Sequence, residues 1–288
     1  IIFLVVSLCM RVTLGTSINI SQYFGTRDHE KMRRAMDTAY VFLFAASLVL
    51  AVVGVIASPR ILRFLNTPED ILPQASTYLR ITFAGLSTMV GFNATSAILR
   101  GIGDSKTPLG FLVLATVLNI VLDLVFILVF GWGIAGAAWA TVIAQGFSFV
   151  SGILYLNRTH PLLRLNLRRV EFDRKVLFLS LRIGIPSGIQ QMLVAAGMMA
   201  LSRIVNSFGT PAVAAFAAAG RIDTFAGMPA MNLSLALANF TGQNMGAGKP
   251  ERVVRGYHAA LAIASAISLC ITLISVVFGK SLIAVFNS

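Results

Sequence analysis

Charge is what this chain has least of. Asp, Glu, Lys and Arg make up 12% of its 288 residues, about half the share found in a soluble domain. Acid is the scarcer sign, with 11 Asp and Glu against 23 Lys and Arg. A net charge of +12 would suit a nucleic-acid binder if the basic residues formed a stripe interleaved with aromatics, and they do not. Cysteine is nearly absent too. Cys9 and Cys270 both fall inside apolar runs without pairing or metal-ligand spacing, which predicts structural core thiols. The three histidines, His29, His160 and His258, form neither a His-x-x-x-His nor a Glu-x-x-His pattern, so no metal centre is expected from them. Strict two-residue alternation is missing, which excludes a closed transmembrane barrel. The opening IIFLVVSLCMR lacks an initiator Met and a basic n-region, so it reads as the middle of a membrane helix and not as a signal peptide.

What is abundant is apolar sequence. Hydrophobic residues make up 57% of the chain and the mean hydropathy is +0.83. A span needs about 20 mostly apolar residues. By that rule the chain has eight spans, at 1–24, 36–57, 76–99, 108–130, 133–156, 176–206, 211–240 and 256–284. The basic residues gather in every second connection: 25–35, 100–107, 157–175 and 246–255. The intervening connections RILRFLNTPED, FGWGIAG and NSFGTPA, and the terminal NS, are neutral or charge-balanced. An excess of Lys and Arg marks cytoplasmic loops. The expectation is therefore an all-α, multi-pass protein of the inner (plasma) membrane with its basic loops in the cytoplasm.

One of these loops occurs twice. SQYFGTRDHEKMRR (21–34) and GQNMGAGKPERVVR (242–255) each carry Gln-x-x-Gly followed by a charged stretch. The spacing between copies is constant, since 243 minus 22, 246 minus 25, 251 minus 30 and 255 minus 34 all give 221. The register continues through Ala39 and Ala260, Ser47 and Ser268, Leu48 and Leu269, and Asn66 and Asn287. Both copies face the cytoplasm and lie six spans apart, so the repeats run parallel and are related by an axis along the membrane normal. The whole protein is then expected to have two lobes of six helices. Residues 1–157 would supply five helices of the first lobe and 176–288 three of the second, giving eight of twelve, with 158–175 as a basic cytoplasmic linker.

Polar residues inside membrane spans are costly and mark function. In LNIVLD (118–123), Asn119 and Asp123 stand at i and i+4 on one helix face. Asp123 lies eight residues before Gly131, and Thr141 lies eight residues after Gly133 on the next helix, so the two should sit at similar depth. A carboxylate, a carboxamide oxygen and a hydroxyl suit a hard cation. Alternatively, desolvation makes Asp123 a proton carrier, or the three form a structural polar knot. Arg11 interrupts the first span, either lining a cavity or snorkelling, and its mate at the repeat offset is Asn232. Gln190, Gln191 and Asp223, with Asn93, Asn206 and Asn239, either line a cavity or knit helices together by hydrogen bonds, the second being the expectation for each taken singly. Pro186 and Pro229 can bend second-lobe helices. Ten Met and 20 Phe would make soft walls for varied organic molecules.

Taken in order, SQYFGTRDHEKMRRA, AILRGIGDSKTPL, NIVLDLVFI, GIAGAAWATVIAQ, GIPSGIQQM and FTGQNMGAGKPERVVR resemble the multidrug and toxic compound extrusion (MATE) transporters along essentially the whole chain. That resemblance implies a twelve-helix, two-lobe bundle with a pseudo-two-fold repeat. It implies export of cationic or amphipathic organic compounds by alternating access, driven by inward sodium or proton flow. Asn119, Asp123 and Thr141 match the family's first-lobe cation site. A further Asp of that site belongs to a first helix not found here. PSGIQQMLV carries no acid where another branch of the family has a Glu, which favours coupling through the first lobe. No cofactor beyond the coupling ion is implied, the full-length protein is expected to be monomeric, and its partners are small organic substrates and the bilayer. A flippase for lipid-linked precursors is the rival reading, because it would want a cationic cavity and Arg11 is one such residue. A membrane enzyme is not favoured, since no clustered catalytic groups appear near one interface.

Overall fold

The computed structural model describes residues 2–64, 67–165 and 170–286, with the side chains of 2–10, 162, 214, 222, 225, 275 and 278–286 outside the description. The described residues form helices and connections, without a strand. In chain order they are α1 (Ile2–Thr26), α2 (His29–Phe64), α3 (Leu72–Ala84), α4 (Leu86–Gly101), α5 (Lys106–Leu124), α6 (Gly133–Thr159), α7 (Arg174–Asn206), α8 (Thr210–Gly246) and α9 (Pro250–Phe286). A π-helical turn, Val125–Val129, continues α5, and a short 3₁₀ turn, Pro161–Leu163, follows α6.

Five segments are long and apolar enough to cross a membrane: α2, α5 with its π turn, α6, α7 and Pro250–Ile274 of α9. The expected span at 76–99 is broken: α3 and α4 meet at Gly85 with a bend of 46° and together make a sixth. The bend seats Gly85 against α6, where a Cβ would fall 2.2 Å from a Val142 methyl. Helices α1 and α8, where two of the eight expected spans fall, are not among these segments. Both are long enough to span, and both carry polar residues, Arg11 in one and Arg221, Asp223 and Asn232 in the other. Exposed apolar residues such as Phe44, Val49, Val52 and Ile56 on α2 and Leu109, Val113 and Val117 on α5 suit a surface solvated by lipid, because the backbone behind them is satisfied within each helix.

The predicted loop at 25–35 is a two-residue turn, with α2 starting at His29. The charges there favour helix and do not interrupt it. The backbone N–H of Lys31 donates to Asp28 Oδ1 at 3.0 Å, an N-terminal cap. Arg34 pairs with Glu30 one turn away. Arg27 makes the turn with φ of 57°. In the second copy Gly248, 221 residues on, does the same with φ of 68°. The repeat seen in the sequence is therefore also a repeat of backbone conformation at the one position where the left-handed region is required.

Helix α1 is the axle of the fold, packing against α2, α4, α7 and α8. Around its basic-loop half, Ile20, Met32, Met36, Ile98, Leu99 and Leu156 form one core cluster. Nearer the opposite face, Val12, Leu43, Phe83, Leu86 and Val90 form another. Helix α9 packs on α8, so Cys270, expected as a core thiol, is exposed. The side chain of Cys9 and the matched pair Asn66 and Asn287 lie outside the described residues.

Candidate functional site

Helices α5 and α6 are joined by the tight turn at Gly131 and Gly133, both at positive φ, and pack as an antiparallel pair. The three residues singled out between them come together unevenly. Asn119 Nδ2 donates to Thr141 Oγ1 at 3.4 Å, and the Thr141 hydroxyl donates to the carbonyl of Ala137 at 3.1 Å. The sequence reading set Asp123 level with Thr141, whereas Asn119 occupies that place. Residues 125–129 widen into a π turn and 130–132 leave the helix, so equal residue counts from the connection do not give equal depth. Asp123 sits a turn further along the same face. Its Oδ1 is shielded from solvent and has no hydrogen-bond partner.

That orphaned oxygen is the sharpest feature of the site. A buried polar atom without a partner costs on the order of 1–3 kcal/mol, more if charged, and calls for an explanation. A hard cation or a proton supplies one. A carboxylate at Asp123, with the side-chain oxygens of Asn119 and Thr141 a turn away, would make an all-oxygen donor set of the kind a hard cation takes. The π turn that begins two residues after Asp123 belongs to a class of helix irregularity frequent at functional sites.

The other candidates divide. Arg11 on α1 donates through Nη2 to Gln191 Oε1 on α7 at 2.6 Å, so it bridges two helices and does not snorkel. Gln190 and Asp223 are exposed, and no hydrogen bond among the described residues ties either to Arg11. Asn232 is also exposed, its amide donating to the carbonyl of Met228 at 2.9 Å. Asn93 likewise bonds its own helix, at the carbonyl of Met89, and Asn206 ends α7.

Asn239, a candidate from the sequence, knits two helices together, and a second cluster was not anticipated. Asn239 of α8 is buried against α1, with Oδ1 at 2.8 Å from Ser17 Oγ and 3.1 Å from Ser21 Oγ. The second cluster holds the segment after α6. Asp37 is 1% exposed, and its Oδ2 accepts the backbone N–H of Glu171 at 3.3 Å. The neighbouring Thr38 Oγ1 accepts the N–H of Asp173 at 2.9 Å, and Arg34 pairs with Glu171 at 2.8 Å. A signal for it was present: Asp37 follows two arginines at the start of an apolar run, where a lone acid needs a partner.

Comparison with known proteins places these features in a family context. The MatE family model matches residues 1–125 and 186–288. "Probable multidrug resistance protein YpnP" of Bacillus subtilis is 39% identical over 289 residues, covering 100% of this chain and 64% of the relative. The crystal structure of a MATE protein in a bent conformation superposes with a TM-score of 0.92 at 26% identity, covering 99% of this chain and 64% of that one. An outward-facing multidrug resistance MATE transporter gives a TM-score of 0.90 at 26% identity, covering 97% and 62%. The chain thus spans somewhat under two thirds of the length of the proteins it matches.

Proposed function

The chain belongs to the MatE family of multi-pass membrane transporters, and from that premise we propose that the full-length protein exports cationic or amphipathic organic compounds in exchange for an inward-moving cation. The observation that carries this reading is the buried, unpartnered Oδ1 of Asp123 one helical turn from the Asn119–Thr141 contact. With sodium as the coupling ion, Asp123 supplies the charge and the other two supply neutral oxygens. With a proton, Asp123 carries it. Either guest removes the cost of the orphaned oxygen and so favours one arrangement of α5 and α6 over another, which is what coupling requires.

Within this reading, residues 1–157 belong to the first lobe and 176–288 to the second, with 158–175 linking them on the cytoplasmic side. The lobes rock about the space between them. The likeness to an outward-facing relative and the packing of α1 on α7 and α8 support an arrangement closed toward the cytoplasm. A flippase would draw on several cations lining that space, whereas Arg11 is engaged by Gln191.

The test is efflux of a fluorescent organic cation from proteoliposomes holding the full-length protein. Asp123→Asn should abolish gradient-driven efflux while leaving the monodisperse elution profile unchanged. Efflux at the wild-type rate in that variant would remove Asp123 from the coupling site.

A further inference from the structure

Asp123 is not the only residue between α5 and α6 with a buried oxygen that lacks a partner. Gln145 on α6 is half-buried, and its Oε1 is shielded from solvent with no hydrogen-bond partner among the described residues. Gln145 lies four residues after Thr141 and so shares its face, one helical turn nearer the basic-loop end. Two contacts fix what lies opposite it. Asn119 meets Thr141 at 3.4 Å, and Ser148 Oγ donates to the carbonyl of Phe111 at 3.2 Å, so the antiparallel register sets Gln145 level with Ala115. Ala115 is 4% exposed, and its methyl group offers the amide no hydrogen bond. We infer that Gln145 is a second, weaker station for the coupling cation, on the cytoplasmic side of Asp123.

The two orphaned oxygens, Asp123 Oδ1 and Gln145 Oε1, flank the Asn119–Thr141 contact, each one turn or about 5.4 Å from it along the helix axis. A buried acceptor without a partner costs free energy, and an apolar side chain of similar size would remove that cost. Keeping an amide there calls for a guest that uses it. A carboxamide oxygen suits a small hard cation, sodium or hydronium, and it is neutral. A second carboxylate would hold the cation tightly, whereas a site that a cation must also leave has to bind it weakly. The polar face continues past Gln145. Thr141, Gln145, Ser148, Gly152 and Tyr155 recur at alternating steps of four and three residues, with no aliphatic side chain among them. Ser148 is buried, the ring of Phe111 lies against Gly152, and the stripe ends where the Tyr155 hydroxyl donates to Asp104 Oδ2 at 3.4 Å. It leads from Asp123 toward the cytoplasm between α5 and α6, and so within one lobe.

This inference rests on the transport reading, and its test separates the two. In proteoliposomes holding the full-length protein, a gradient of a fluorescent organic cation drives the coupling cation, followed with tracer sodium in one arm and a pH-sensitive dye in the other. Gln145→Leu should lower the maximal rate of whichever cation moves by about tenfold or more, while its half-saturating concentration, set at Asp123, stays within about twofold of the wild type. Gln145→Glu should lower the half-saturating concentration about tenfold and slow the maximal rate as well, because the station then traps the cation. Wild-type kinetics in Gln145→Leu, or the same change of rate and half-saturation in both variants, overturns the station. Independently of transport, Gln145→Leu in sodium-free buffer should unfold at or above the wild-type midpoint, since no hydrogen bond is lost. A lower midpoint shows that Oε1 has a resident partner and overturns the station too. Absence of cation movement by the wild-type protein sinks the transport reading itself. Movement that is lost in Asp123→Asn and unaltered in Gln145→Leu sinks the station alone.

Discussion

Replacing Asp37 by Ala should free the segment that follows α6 while changing global stability much less. The carboxylate is 1% exposed and accepts the Glu171 N–H at 3.3 Å. A hydrogen bond to a charged acceptor contributes about 1.5–3 kcal/mol. The Arg34–Glu171 ion pair that also ties the segment down is exposed at both ends, with side-chain accessibilities of 42% and 58%, so it contributes at most ~1 kcal/mol. The Thr38–Asp173 bond remains in the variant. Opening of 170–173 should thus become easier by about 2 kcal/mol, or roughly 30-fold in rate where exchange follows the opening equilibrium. The global effect is smaller because Asp37 Oδ1 is itself buried without a hydrogen-bond partner, and because the ion pair lost with it, Arg33 Nε at 3.9 Å from Oδ2, is long and exposed on the arginine side. Hydrogen exchange followed by mass spectrometry on the full-length protein reads both quantities. Peptides covering 170–176 should exchange roughly 30-fold faster, with those from α4 and α6 unaltered. Exchange at 170–176 as slow as in the wild type would refute Asp37 as the anchor.

Ile98 is fully buried where α1, α2, α4 and α6 meet, so Ile98→Ala should cost about 2–5 kcal/mol, read as a lower thermal unfolding midpoint. Gln191→Leu should destabilise by roughly 1–3 kcal/mol, because the Arg11 guanidinium loses its acceptor. Adding Arg11→Met should recover most of that loss, and additive losses in the double variant would show that the bridge has no energetic coupling.

The apolar runs were legible because a helix in lipid must be apolar over its exposed face and must satisfy its own backbone, so span and helix coincide to within a turn or so at α6 and α7. The repeat was legible for another reason: Gln22 and Gly25 recur as Gln243 and Gly246, and each glycine packs where a Cβ would fall 2.1 Å from the carbonyl oxygen of the other copy's glutamine. What the sequence hid was geometry without a compositional mark. The π turn after Asp123 is built from Val, Phe, Ile and Leu, indistinguishable from ordinary helix, and it displaced the expected pairing of Asp123 with Thr141. The charged loop at 25–35 read as a break, yet its charges pair at helical spacing and Asp28 caps the helix it precedes. Gly85 breaks a span in which Gly91 does not, although both lie close against α6, at Val142 and at Phe149, so the close approach that a glycine permits does not by itself mark a bend. Cys270 lay in an apolar run and was read as core, but on a helix packed along one face an apolar residue can equally face lipid.

The central claim is that a cation crosses in the opposite sense to the organic substrate through Asp123. In proteoliposomes loaded with full-length protein and given a gradient of an organic cation alone, the movement of sodium or of protons can be followed directly with tracer or pH-sensitive dye. Wild-type protein should drive one of the two cations against the substrate flow, and Asp123→Asn should drive neither. Equal cation movement in the variant, or substrate movement in the wild type that carries no cation with it, would contradict the account.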